Sequence, residues 1–337
     1  MIVDCEESRR ALGGVAPAGP KAAPDLFPAA PGDDFVRALW VACGLPGAPL
    51  QVSAAAAADL PADGWHAVIV SRGGTASPYD ALRALTSRGE ALPGPVACLT
   101  LDGGCLQGQH GRRWAALPGN LHLSVALPCD LDAARCAPSL PMLPGVALAE
   151  AAIAMSGPHA DTGARPGLKW VNDLVLAEAD GSWRKVGGVL TAARTTGARI
   201  STVFLGLGLN LVAAPPLPSD PFALPPAALA GRLPAGAVPT LGAAAGIVLA
   251  RVRERLALLA TAGPAGLVAA YRNHALVLGR EVAVWAADAG RDGSDPGPPR
   301  RRGTVVDILP DLALVLAGQP EPVREGRLRL ADPPAIP

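Results

Sequence analysis

Apolar and polar positions change period several times along the chain, and each period predicts an element. From Asp34 the order DDFVRALWVACGL sets Phe35, Leu39 and Trp40 on one helical face behind an acidic first turn, as suits the positive end of a helix dipole. GWHAVIVS (64–71) is a continuous apolar run of strand length, and beyond a glycine turn Ser77 stands where a cap would open a helix at Pro78. PVACLTL (95–101) predicts a second strand and DGGCLQGQHGRRW (102–114) a flexible loop. In GNLHLSVAL (119–127), Leu121, Leu123, Val125 and Leu127 alternate with period two, the mark of a strand with one buried face. MLPGVALAEAAIAM (142–155) has the alanine-rich composition of a helix. GLKWVNDLVL, WRKVGGVLTAA and ARISTVFLGLGLNL then succeed one another as strands with hairpin signals at 179–181 and 195–197, an antiparallel run.

A proline-rich loop (213–239) leads to one long helix over LGAAAGIVLARVRERLALLATAG, which should pack on the sheet. Four short strands between about 278 and 330 predict a small separate β-barrel, with its boundary near Tyr271. Residues 1–33, rich in Ala, Pro and Gly without periodicity, read as a loose, disordered tail, because such a segment buries too little to offset the entropy of ordering.

Composition narrows the function classes. The 337 residues carry 29 basic and 29 acidic side chains, and a formal net charge of zero removes the electrostatic argument for a nucleic-acid or acidic-membrane binder. The first 65 residues contain no helix-turn-helix text and no basic recognition helix, so no DNA partner is expected. The six cysteines form no CxxC pair, which argues for buried thiols in a reducing compartment rather than a zinc site or disulfide framework. MIVDCEESRR carries charges where a signal peptide needs an apolar stretch, and Arg251, Arg253, Glu254 and Arg255 interrupt the longest apolar helix; a cytoplasmic protein without a membrane segment is the expectation.

Lysine usage points to chemistry. Only three of the basic residues are lysines (Lys21, Lys169, Lys185), and a chain that otherwise prefers the planar arginine fork retains a compact ammonium where a point charge must meet a phosphate or carboxylate, unless chance placed it there. Asn120, Asn172 and Asn210 sit at strand ends, where side-chain amides commonly close turns. Taken together and in order, GQHGRRW, GNLHLSVAL, LKWVNDLVL, RKVGGVL and GLGLNL resemble the GRGRxGRxW, GNLxxS, KWPND, KxxGIL and GIGIN texts of the biotin protein ligases, from about Thr75 to Leu211 and more weakly into the C-terminal strands.

The resemblance implies an α/β (α+β) fold: a catalytic domain of biotin/lipoate ligase type with a mixed, largely antiparallel sheet over 34–272, in which 34–65 is an extension of uncertain role, and an SH3-like β-barrel over 273–332. It implies an ATP-dependent ligase that activates biotin as biotinyl-5'-AMP and passes it to a lysine of a biotin carboxyl carrier protein. The carry-over makes Lys185, Arg112 and Asp173 catalytic. Thr75, Ser77, Gln107, Gly108, Gln109, Gly111, Trp114, Asn172, Gly187, Gly188 and Asn210 become ligand-binding, and Mg²⁺ accompanies ATP near Asp173 and Asn210 without a direct protein ligand. A carboxylate attacking a phosphate needs preorganised positive charge, which accounts for the residue types. The chain departs from the pattern where GRGR becomes Leu106, Gln107, Gly108 and Gln109, where the ureido-gripping glutamine becomes Gly103, and where Ser-Thr-Asn becomes Thr75, Ala76 and Ser77. Those departures keep two alternatives open: a lipoate or octanoate ligase, and a protein that holds biotin or an adenylate without turnover.

Overall fold

The computed structural model describes residues 2–3, 26–28, 33–45, 50–52, 64–157, 165–178, 180–216, 220–234, 236–290 and 294–331, with the backbone alone at 2–3, 26–28, 50–52 and 110. Ten strands form the main sheet: β1 (Ile2–Val3), β2 (Leu26–Pro28), β3 (Leu50–Val52), β4 (Ala67–Ser71), β5 (Val96–Thr100), β6 (Leu121–Asp132), β7 (Pro166–Lys169), β8 (Asp173–Ala177), β9 (Trp183–Thr196) and β10 (Arg199–Leu209). Their order is β2-β3-β1-β4-β5-β6-β10-β9-β8-β7, parallel only at β1–β4 and β4–β5. The sheet is thus mixed and largely antiparallel. β1 and β2 correct the reading of 1–33 as a loose tail at those two segments, because β1, between β3 and β4, and β2, at the sheet edge on β3, satisfy backbone groups on neighbouring strands whatever their side chains; the rest of that stretch lies outside the described residues.

Alternation along β6 sorts the two faces. Leu121, Leu123, Val125 and Leu127 point into a core completed by α4 (Met142–Ser156) and α5 (Leu241–Ala262). On the opposite face, α1 (Asp34–Ala42) and α2 (Pro78–Ser87) bury Phe35, Leu39, Trp40 and Leu82 against Ile69, Cys98 and Phe204, each large side chain adding about 1.5–3 kcal/mol through burial. The described part of 34–65 therefore includes a helix built into the main body. Ser77 stands at the N-cap of α2 in extended conformation, but its side chain makes no capping bond, so Pro78 with its preset φ opens the helix instead. A four-residue helix, α3 (Ala133–Cys136), follows β6.

Two predicted elements are divided. The long helix ends at Gly263, whose φ of +83° glycine adopts without strain, and α6 (Pro264–His274) restarts at the next residue. LKWVNDLVL breaks into β7 and β8 at Trp170–Asn172, since the Trp170 indole turns inward to donate to the Leu312 carbonyl at 2.7 Å. The Tyr271 hydroxyl donates to the Val171 carbonyl at 2.9 Å and holds this turn from α6. β11 (Glu281–Trp285), β12 (Arg301–Ile308), β13 (Leu314–Leu316) and β14 (Arg327–Leu330) form a second, antiparallel sheet where the small barrel is expected. Arg272 of α6 joins it by donating to the Ile308 carbonyl at 2.8 Å.

Replacing Tyr271 with Phe leaves the Val171 carbonyl without its buried donor. A loss of about 1–3 kcal/mol in unfolding free energy is expected with the fold intact, and an unchanged denaturant midpoint would show that the bond does not hold the turn.

Candidate active site

The site begins with an irregularity. Asp173 pairs with Gly188 and Leu174 with Gly187, but Val175 pairs with Lys185, so Val186 is an extra residue in β9. In a regular strand, positions 185 and 188 face opposite sides; the bulge puts Lys185 on the side of Gly188 and Asp173. The proline-rich loop holds it there: the Lys185 N–H donates to Pro225 O and its carbonyl accepts from Ala227 N, both at 2.9 Å. Lys185 Nζ then meets Asp173 Oδ1 at 2.5 Å, and the buried Lys169 Nζ lies 3.8 Å from Asp173 Oδ2. Burial works to raise the Asp173 pKa, but Lys185 and Lys169 outweigh it and hold the carboxyl below its ordinary range. Burial pushes the Lys169 ammonium down, partly offset by Asp173.

Trp114 closes the site from above. Its indole lies on glycines: a Cβ on Gly208 would sit 2.4 Å from the ring and one on Gly188 3.3 Å from it. The two glycines are cross-strand partners, so together they make a floor without side chains. Lys185 Nζ lies 5.6 Å from the centre of the Trp114 ring, within cation–π range. The 102–114 stretch, expected to be a flexible loop, is folded in this structure: Gly103 pairs with Ala116 and Gln107 with Arg113, and Trp114 N donates to Leu106 O at 2.9 Å. Gln109–Gly111 make one 3₁₀ turn, with Gly111 at φ +72°.

Arg112 extends from this loop to within 3.5 Å of Asp220 Oδ2. Asp220 also receives Arg327 of β14 at 2.6 Å and the Phe222 N–H at 2.9 Å; burial would raise its pKa, but these donors hold it below the ordinary value. The site therefore reaches the second sheet, a link that the sequence reading missed because no motif marks Asp220 or Arg327.

The structure brings Lys185, Asp173, Trp114 and Gly188 together, with Arg112 nearby, since its charge contributes to lowering the Asp173 pKa. Asn172 is a turn clamp, donating to Val189 O at 3.0 Å, and Gly187 faces the helix side, where a Cβ would meet Leu148. Asn210 donates to Ala227 O at 3.1 Å while its buried Oδ1 has no partner. Asn120 accepts from Val212 N and Ala213 N. Thr75 is exposed over Gly44, Ser77 is buried at the start of α2, and Gln107 and Gln109 are exposed with Gly108 between them; among the described residues no hydrogen bond or ion pair joins these five to Lys185 or Asp173. No group of three His, Cys, Asp or Glu side chains able to hold a metal exists among the described residues, and both Asp173 oxygens face lysines. The five described cysteines are free thiols, and no described helix is long and apolar enough to cross a membrane.

One polar side chain, His122, was missed. His122 and Thr100 are buried on the Trp114 side of the sheet, and His122 Nδ1 donates to the Thr100 carbonyl at 3.1 Å. Burial pushes the imidazole down to about 4. The signal was the polar phase of the alternation in GNLHLSV.

Two outcomes follow from this geometry. Gly208→Ala drives a methyl group into the indole; a loss of about 1–3 kcal/mol from overpacking is expected, with easier iodide quenching of tryptophan fluorescence, and unaltered quenching would refute the packing. For His122, the folded pKa lies below the ordinary 6.5, so the unfolded chain binds the extra proton and stability declines as pH falls from about 6.5 towards 4. His122→Gln is expected to flatten that part of a stability–pH curve; an identical slope in both proteins would rule out His122 as its source.

Comparison with known proteins places this geometry among relatives. No protein-family profile matches the chain. A biotin--[acetyl-CoA-carboxylase] ligase of Paracoccus denitrificans is 31% identical over 127 residues, 37% of this chain, and the match spans about half (49%) of that relative's length. The biotin protein ligase of Aquifex aeolicus, solved with biotin and ATP, superposes with a TM-score of 0.51 at 19% identity over 74% of this chain and 94% of its own. An arginine-to-glycine variant of that enzyme, solved with biotin, gives 0.50 at 19% identity over 70% and 88%. The chain has the fold of the biotin protein ligases and resembles that family in sequence.

Proposed function

We propose that the chain is an ATP-dependent biotin protein ligase, with a catalytic unit over 34–272 and a C-terminal unit over 273–332. The carrying observation is electrostatic. In a chain of zero net charge, Lys185, Lys169, Arg112 and Arg327 all act on the neighbourhood of two carboxylates, Asp173 and Asp220. That surplus of positive charge at a partly buried site suits an anionic ligand, and two anions that must react with each other suit it best.

In this reading the biotin carboxylate attacks the α-phosphate of ATP, a P–O bond forms, and pyrophosphate leaves with the electrons of the broken α–β bridge. Lys185 lies between the two anions and lowers their repulsion as charge builds on the phosphorus. Asp173 keeps the ammonium in place, a positioning role. Arg112 leaves Asp220 for the nucleotide phosphates, and Trp114 excludes water from the mixed anhydride. In the second step the amine of a carrier lysine attacks the acyl carbon, an amide bond forms, AMP departs with the electrons of the acyl–O bond, and the ammonium proton is lost to solvent. Mg²⁺ enters with the nucleotide, and no step is assigned to it. The acceptor is a biotin carboxyl carrier protein. A lipoate or octanoate ligase is the second reading, favoured by the departures from the biotin pattern at Gly103, Thr75, Ala76 and Ser77.

ATP–pyrophosphate exchange driven by biotin, lipoate or octanoate tests both. Biotin-dependent exchange is expected, reduced at least about a hundredfold by Lys185→Ala and poorly restored by Lys185→Arg, whose planar fork is not a point charge. Wild-type exchange by Lys185→Ala would overturn the assignment.

A further inference from the structure

We propose that Phe222 is a positioning residue for Lys185: held on the second sheet by Arg327, Arg329 and Trp285, it fixes the segment 220–227, whose other end sets the bulge of β9. The proposal deepens the ligase reading and rests on it for the part that Lys185 plays in the reaction.

The segment is anchored at both ends. At one end Lys185 forms a parallel bridge with Pro226, in which the Pro225 carbonyl and the Ala227 N–H bond the lysine backbone at 2.9 Å. Proline suits the middle of that bridge, because the contact uses no N–H from position 226. β10 ends opposite Gly187, so beside Lys185 this segment takes the place of a neighbouring strand. Just past β10, the Asn210 side chain donates to Ala227 O at 3.1 Å and its carbonyl accepts from Leu229 N at 2.8 Å, which secures the same end a second time.

The other end sits on β11 and β14. Arg327 and Arg329, two apart on β14, share a face of the second sheet, and Trp285 of β11 is the cross-strand partner of Arg327. Arg327 donates to both Asp220 oxygens, at 2.6 Å to Oδ1, and Arg329 donates to the Pro221 carbonyl. The Phe222 ring centre lies 4.3 Å from the Arg327 guanidinium and 4.6 Å from that of Arg329, within cation–π range, and meets Trp285 edge-on at 5.2 Å. Phe222 packs with Ala283 and Trp285 in a cluster separate from the main core, so its ring serves the attachment of the segment rather than the packing of the main sheet. The second sheet is in turn fixed to the main body through Arg272 and Trp170.

Only Ala223 and Leu224 separate Phe222 from Pro225, and prolines at 221, 225 and 226 fix φ at three positions around them. A segment so short and stiff passes a displacement on: if the ring leaves its seat, the Pro225 carbonyl moves and takes the Lys185 N–H with it. The regular ladder is already broken at the bulge, so few other bonds resist that movement. The ammonium stands 2.5 Å from Asp173 Oδ1, and a misplacement of about 1 Å is enough to disturb a reacting geometry.

Two measurements on the full chain test the coupling. Phe222→Leu keeps an apolar side chain and removes the ring; it is expected to lower kcat for biotin-dependent ATP–pyrophosphate exchange about ten- to a hundredfold. KM for ATP should change little, because Lys185 acts as charge builds on the phosphorus. Phe222→Tyr keeps the ring and should retain exchange. The second measurement needs no turnover. The sequence contains three lysines, so ¹⁵N-lysine labelling gives a sparse amide spectrum in which Lys185 is identified by its loss in Lys185→Arg. Its resonance is expected to shift in Phe222→Leu and to stay in place in Phe222→Tyr, a signature that a ring merely stabilising the second sheet would not give. Should Phe222→Leu fail to fold, the exposed Arg329→Met removes one guanidinium from the ring and from Pro221 and is expected to shift the same resonance. Unaltered exchange in Phe222→Leu, or a Lys185 resonance indifferent to these changes, would overturn the proposal. A shifted Lys185 resonance in a protein whose unaltered form shows no exchange would refute the ligase reading and support the coupling. Full exchange by the unaltered protein, with Phe222→Leu indistinguishable from it, would do the reverse.

Discussion

The extra residue in β9 is the constraint on which the site depends. Side chains of a strand alternate, so Lys185 and Gly188 share a face only because Val186 bulges between them. Without the bulge the ammonium would face the apolar core below the sheet, where α4 packs, and not Asp173. With it, Lys185 reaches Asp173 on the neighbouring strand. The proline-rich loop fixes the bulge through the backbone of Lys185, which makes that irregular segment part of the site's scaffold.

Two further conditions follow from placing charge on a sheet surface. The floor has to be free of side chains, which Gly188 and Gly208 achieve as cross-strand partners, and it needs a cover, which Trp114 supplies. The charges must also be held without being neutralised. Asp173 is shared by two lysines, and Asp220 is held by Arg327 with Arg112 at a looser 3.5 Å. Arg112 is thus the cation most easily released to a ligand, whereas Arg327, nearly buried and stacked 4.3 Å from the centre of Phe222, is fixed. Through Asp220 the second sheet is linked to the glycine-rich loop.

Local patterns carried most of the fold. Period-two alternation located β6, the apolar runs located β4 and β5, and turn residues at 179–181 and 195–197 marked the hairpins beside β9, because each of these signals lies within a few consecutive residues. The ordered motifs located Lys185, Asp173 and Trp114, which the structure brings together. Less legible was the division of LKWVNDLVL into two strands, since its cause is distant: Tyr271 and Leu312 hold the turn from other elements. The short strands β1 and β2 escaped the reading for a related reason, their partners being supplied by the backbone of other strands.

By itself, the sequence determined the element types, the sheet's antiparallel half, the scarcity of lysine and the order of the motifs, all properties of neighbouring residues. Tertiary structure alone decided which lysine faces which carboxylate, because one bulged residue inverts the side on which every later side chain falls. It also decided that Arg112 meets an aspartate 108 residues away, and that two polar atoms of Thr100 and His122 are buried without partners. Pairing and burial of this kind arise only when segments distant in the chain exclude water from one another, and no window of consecutive residues contains that information.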